Sequence, residues 1–361
     1  MSTTPPTITK FPDLFTPAES KALADAPLQP SGTRHPTWFP LHSHEPRVID
    51  MLVREAVPRI ALEAGGEVWL RDLAPRLSDF ADDRNASSSL AEIRAYGGLL
   101  EAGFNVAPIP RTSSATPDFT VDVGDGPVTV EVFSKHQDEV QDALMAAVHS
   151  PDGEHELGIE RSSATHGNRR VTTAVTVLTP GGHPDPDSKW DSVQANLISK
   201  VCGMKRDETQ VDPEHPCVLI ADFCHFGGPT MAKLLEPRQT APVISGHRGL
   251  CSGAMWYGVY GWKGARVFEE LLRDPLRMGH DGRFRLAGKK KSRLSAILFI
   301  FHGAAVLLEN PWADKPLTPL TRLAFGRYPW FDLVHSVADW HPGDALALVE
   351  LQRRRIEAFD V

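Results

Sequence analysis

The apolar positions of this chain change period between Ser87 and Phe133. Ser89-Leu90-Ala91-Glu92 has the spacing of a capping box, and it opens an amphipathic run through Leu100 that Gly103 ends, so a helix is expected there. Beyond it, Phe119, Val121 and Val123 alternate with Asp118, Thr120 and Asp122. Val128, Val130 and Val132 alternate in turn with Thr129, Glu131 and Phe133, and Gly124-Asp125-Gly126 separates the two runs. Alternation across a glycine-rich turn predicts a hairpin with one apolar face and one polar face.

Further along, Lys135 to Val148 has helical spacing, and Val171 to Leu178 reads as a strand rich in Val and Thr. Asp191 to Lys205 reads as a helix and Pro216 to Phe223 as a buried strand. Strands at Ala254 to Tyr260, Arg293 to His302 and Ala305 to Glu309 could extend the same sheet, and Asp344 to Phe359 closes the chain as a helix. Upstream, Arg47 to Phe80 has helical spacing broken at Gly65-Gly66. Residues 1–46, with many prolines and scattered His35, His42 and His44, predict a surface arm with little regular structure and no metal site. The glycines of YGVYGWKG (258, 261, 264) lack phosphate-loop spacing and point to close backbone packing. The expected division is an arm with accessory helices over 1–83, a core over 84–228 and a C-terminal α/β extension over 229–361.

Composition narrows the function classes. No stretch of the 361 residues approaches the roughly 18 apolar residues that span a bilayer, so no membrane association is expected. The start of the chain has no basic and apolar leader pattern, which makes the cytoplasm the expected location. Cys202, Cys217, Cys224 and Cys251 are irregularly spaced and read as reduced thiols. A formal net charge of -8 excludes a surface that coats nucleic acid, so any such contact must be local. The densest basic stretch is Arg283, Arg285, Lys289, Lys290, Lys291 and Arg293, either a solvated loop or a loop that meets phosphates.

Candidate chemistry sits on the hairpin. Residues of one parity share a face of a strand, so Asp118, Thr120 and Asp122 point together, as do Glu131, Phe133 and Lys135 if the strand persists. The valines require an even-length loop, since an odd one would set apolar residues of one strand against the polar row of the other. Pairing Val123 with Val128, for example, sets Asp118 opposite Phe133 and diagonal to Glu131. Carboxylates gathered in this way supply hard oxygen ligands suited to magnesium or manganese, which serve phosphodiester hydrolysis.

A helix bearing Glu92, then Pro117-Asp118-Phe119, then a hairpin into Val130-Glu131-Val132 resembles the PD-(D/E)XK nuclease superfamily. The likeness continues in Lys200, Lys205 and Gln210, which precede the apolar run Cys217-Val218-Leu219-Ile220. It covers about residues 84–225, and its motifs are short. The resemblance implies an α/β protein with a mixed sheet and a restriction-endonuclease-like αβββαβ core. It implies that Asp118 and Glu131 bind magnesium or manganese, that Glu92 assists from the helix, and that a lysine positions or polarises the attacking water. DNA is the expected partner.

One position departs from the family pattern: its lysine falls two residues after the glutamate, where this chain has Phe133. Lys135 lies roughly 6.6 to 6.8 Å further along an extended strand, a gap that a long side chain recovers only in part. Lys200 and Lys205 cannot both face the sheet, and Lys200 is preferred because it lies deeper in its helix. Each residue also has an ordinary structural reading. Glu92 can close a capping box, Asp118 start a strand, Glu131 face solvent, and Lys135 open the next helix. The expected function is therefore metal-dependent hydrolysis of DNA, with a catalytically inactive nuclease-fold binding or assembly module as the alternative.

Overall fold

A computed structural model of the chain describes residues 7–28, 34–110, 115–134, 159–167, 169–176, 193–224, 235–237, 239–240, 249–250, 253–267, 276–286 and 291–358. The expected helix at Lys135 to Val148, Lys135 itself, and Cys251 lie outside these residues. No helix among the described residues is long and apolar enough to cross a membrane.

The N-terminal arm is more regular than its prolines suggested. A 3-10 helix spans Phe11–Leu14, followed by α1 (Pro17–Asp25) and α2 (Trp38–His42). Pro17 occupies the first helical position, where a missing N–H costs nothing, and Thr16 closes a capping box with Glu19. The proline that argued for irregular chain thus starts a helix. Helices α3 (Val48–Leu62) and α4 (Gly66–Leu77) follow, parted at Gly65, whose φ of 79° lies in the left-handed region. Helix α5 (Asp83–Glu101) begins six residues before Ser89: Asp82 is its N-cap and accepts the Arg84 N–H. Ser89 is interior, and its hydroxyl bonds back to Asn85 O at 2.8 Å, so no capping box forms with Glu92. Gly103, at φ 89°, ends the helix as expected.

Twelve strands are described: β1 (Asn105–Pro108), β2 (Phe119–Asp122), β3 (Val128–Ser134), β4 (Ile159–His166), β5 (Arg169–Thr176), β6 (Cys217–Asp222), β7 (Gln239–Thr240), β8 (Gly249–Leu250), β9 (Arg266–Val267), β10 (Leu276–Arg277), β11 (Ala296–Phe301) and β12 (Ala304–Glu309). Six form one mixed sheet in the order β1-β2-β3-β6-β11-β12. The β3–β6 and β6–β11 pairs are parallel and the other three antiparallel. Strands from both sides of residue 228 therefore share a sheet. The pairs β4–β5, β7–β8 and β9–β10 stand as separate two-stranded ribbons.

Both sheet faces are covered. Phe119, Val121, Val128, Val130, Val218, Ile220 and Leu298 pack against α3, α4 and α5. Residues of the other parity, Leu219, Ala221, Ile297 and Phe299, pack against α6 (Val193–Gly203), α7 (Ala254–Tyr260) and α9 (Asp344–Glu357), with α8 (Pro319–Phe325) between β12 and α9 in the chain. Burial on both sides explains why β6 and β11 are apolar without alternation. The same lack of alternation misled the reading of Ala254 to Tyr260, which is a helix. All seven residues are buried, so apolar content could not separate helix from strand. Gly258 and Gly261 do allow close packing, against the Val201 side chain and the Met278 sulfur. The outer edge of β12 is covered by residues 330–337, which bond to Ala305, Leu307 and Glu309.

Helix α5 is tied to the sheet by charge as well as packing. Arg94 Nε and Nη2 lie 2.8 and 2.7 Å from Asp222 Oδ2, with both side chains almost completely buried. Removing one partner of such a pair strands the other charge in a medium that solvates it poorly, at a cost of about 3–5 kcal/mol. Arg94→Met should lower stability by about that amount in urea unfolding, and the double change with Asp222→Asn should recover more than half of the loss.

Candidate active site

Asp118 sits just before β2 and closes the hairpin ladder. Its N–H donates to Val130 O at 3.0 Å, and its Oδ2 accepts the Val132 N–H at 2.8 Å. The β2–β3 register pairs Phe119 with Val130 and Val121 with Val128, and Asp118, one residue before this ladder, lies close enough to Glu131 for its charge to act on it. The expected pairing of Val123 with Val128 is thus two residues out. Its parity is kept, so Asp118 and Glu131 still share a face. The slip arises at the turn: Asp122 Oδ1 accepts the N–H groups of Gly124 and Gly126 at 2.7 and 3.2 Å, which draws Val123 out of the ladder.

Glu131 projects on the face of β3 that carries Phe133, and it is buried, at 2 % exposure, rather than solvent-facing. Its Oε1 meets Lys205 Nζ at 2.7 Å, while its Oε2 is buried without a hydrogen-bond partner among the described residues. Burial, and then the neighbouring Asp118 carboxylate, push the Glu131 carboxyl up from 4.5 to about 8; Lys205 pulls the other way and Glu92 adds a smaller upward push. Desolvation prevails, so the group is mostly protonated at neutral pH until a cation offsets the cost.

Lys205 follows the end of α6 at Gly203, in a turn where its own φ is 45°. Its ammonium also donates to Gln210 Oε1 at 2.6 Å, and Gln210 Nε2 donates to Thr116 O at 3.1 Å. A chain of polar contacts therefore runs from Glu131 through Lys205 and Gln210 to the segment that carries Asp118. Of the two candidate lysines, it is Lys205 and not the preferred Lys200 that lies beside Glu131. Lys200 is exposed on α6, whereas Lys205 follows the end of that helix. Phe133, in the family's lysine position, packs against the second core.

Glu92 is nearly buried and makes a two-pronged ion pair with Arg76, at 3.2 and 2.9 Å. It thus has a cationic partner of its own on α4. A cavity of about 300 Å³ is lined in part by Pro117, Thr120, Thr129, Gln210 and His215; Asp118, Glu131 and Lys205 are not among its lining residues. Among the described residues no group of three or more His, Cys, Asp and Glu side chains is arranged to hold a metal ion. Asp118 and Glu131 are a pair, and the unpartnered Glu131 Oε2 is the free oxygen that a hard cation would need.

The basic stretch is less available than it looked. Arg283 is fully buried and bonds to Glu208, Arg285 stacks on Trp312 at 4.0 Å, and Arg293 lies 3.4 Å from Glu208. Among its described members, Lys291 stays on the surface without such a partner. Cys202, Cys217 and Cys224 are free and buried.

The raised Glu131 carboxyl has a consequence for stability. Between 4.5 and about 8 the folded state holds a proton that the unfolded state has released, so stability must fall as pH rises through that window and level off above it. Chemical unfolding at a series of pH values should show this slope in the wild type and lose it in Glu131→Gln. Compared with protein-family models, curated proteins and solved structures, the chain matches none.

Proposed function

We propose that this protein is a metal-dependent phosphodiesterase of nucleic acid with a restriction-endonuclease-like core. The observation that carries the reading is Lys205 Nζ at 2.7 Å from Glu131, with Asp118 across the strand pair. Two carboxylates and one ammonium converge from three separate segments. The element order supports it: α5, β1, β2, β3, α6 and β6 run in the αβββαβ sequence, with the β4–β5 ribbon placed between β3 and α6. The preference for DNA rests on the family resemblance.

In this reading Asp118 and Glu131 would hold magnesium or manganese through oxygen. Such an ion would supply Lewis-acid chemistry to a phosphoryl group. Glu131 must lose its proton to become a ligand, so binding releases a proton. Lys205 brings to the site the positive charge that Phe133 cannot, entering from the turn after α6 instead of from β3. Gln210 holds that ammonium in line, and a fixed cation at the point where charge develops needs no reorganisation during reaction. Glu92, paired with Arg76, acts through its field rather than as a free base.

A second reading, a nuclease-fold binding module without turnover, is favoured by Phe133 and by the net charge of -8. A magnesium and manganese titration against single- and double-stranded DNA and RNA separates the two. Cleavage by the wild type should vanish in Asp118→Ala and Glu131→Ala, fall about 10²–10³-fold in Lys205→Ala, and persist in Lys200→Ala. A wild type that cleaves no nucleic acid with either metal would reject the enzyme in favour of the binding module. Metal binding is checked separately by calorimetry: affinity should rise with pH up to about 8, and the metal should raise Tm more in the wild type than in Asp118→Ala.

A further inference from the structure

The turn that carries Lys205 is held in an uncommon backbone conformation. Lys205 has a φ of 45° and Glu208 a φ of 54°, both in the left-handed region that side-chain-bearing residues seldom occupy. Such angles persist only where the surroundings impose them. Here they are imposed from 75 or more residues away in the sequence, by Arg283, which has no exposed surface.

The guanidinium of Arg283 faces the turn along its length. Nε donates to Met204 O at 2.6 Å, Nη2 to Lys205 O at 2.9 Å, and Nη1 to Glu208 Oε1 at 2.9 Å and Ser292 Oγ at 2.8 Å. Glu208 is held in turn by Ser292 Oγ at 2.6 Å and by the Arg293 N–H at 3.2 Å. The Arg283 N–H is anchored on Gly258 O of α7 at 2.7 Å. A buried ion pair is a weak source of stability compared with apolar packing. A planar fork of donors does give direction, and here two of its bonds end on the carbonyls at and just before Lys205.

We propose that Arg283 and Glu208 are positioning residues: together they hold the 204–208 turn so that Lys205 presents its ammonium to Glu131. The inference deepens the proposed function by naming what puts its cation in place. It also gives the buried arginine of the basic stretch a role other than phosphate contact.

The test reads Glu131 itself, in protein free of metal and nucleic acid, by NMR titration of its side-chain carboxyl, assigned with Glu131→Gln. The charged or titratable groups around that carboxyl are Asp118 from β2, Glu92 from α5, Cys217 from β6 and Lys205 from the turn; Lys205 is the cation among them. Lys205→Ala should therefore move the Glu131 midpoint upward. Arg283→Lys keeps a positive charge but loses the fork, and it should move the midpoint the same way by at least half as much. Combining the two should add nothing to Lys205→Ala alone. Cooperative melting checks that each variant folds. Ser292→Ala removes one donor from Glu208, leaves both ions in place, and should give a smaller upward shift; it decides the matter if Arg283→Lys does not fold. A folded Arg283→Lys, or Ser292→Ala in its place, with the wild-type midpoint would overturn the proposal, as would an unmoved midpoint in Lys205→Ala. Because no substrate is present, these outcomes stand whether or not the protein cleaves nucleic acid.

Discussion

The site depends on the cost of placing a carboxylate at Glu131. A charge on an inner sheet face, under a layer of helices and facing a second carboxylate, is poorly solvated and repelled at once. Two responses are open to such a group: to keep its proton, or to acquire a cation. The chain provides for both. Lys205 offsets part of the cost permanently, and Oε2 is buried without a hydrogen-bond partner among the described residues.

Delivering the compensating cation required the chain to solve a geometric problem. On β3 the position two residues after Glu131 is committed to the hydrophobic layer through Phe133, so a lysine there would exchange packing for charge. The layer above the sheet is helical, and a helix presents its side chains outward and along its own surface. The sheet-facing positions of α6, Ile198, Val201 and Cys202, belong to the apolar layer, and the lysine that meets Glu131 comes from the turn after the helix. The turn after α6, and not a position within the helix, thus carries the ammonium that meets Glu131.

The alternation of valines with Thr, Asp and Glu left little freedom in the hairpin, because a shift of one residue would have exposed its apolar row. Asp118 and Glu131 on one face were thus legible from the chain alone. Their exact facing was not, since a shift of two residues preserves the pattern, and it was Asp122, bonding inside its own turn, that decided between registers. Helix α5 was legible in its middle and at Gly103 but not at its start, where Asp82 took the cap in place of Ser89. Ala254 to Tyr260 was misread because burial on all sides erases periodicity. Local spacing does not single out Lys205 over Lys200, because the turn that carries it is bonded to Arg283, 78 residues away, and no sequence pattern records that contact.

The two edges of the central sheet are finished differently. Along β12 the segment 330–337 takes up the outward backbone groups at Ala305, Leu307 and Glu309. At the opposite margin β1 is four residues long, closes on Pro108, and is followed one residue later by Pro110, so the margin soon runs short of donors. A sheet built in this way resists lengthening sideways. One margin is already spoken for and the other offers a foreign strand too short a template, which guards a β-rich interior against the edge-to-edge stacking that seeds fibrils.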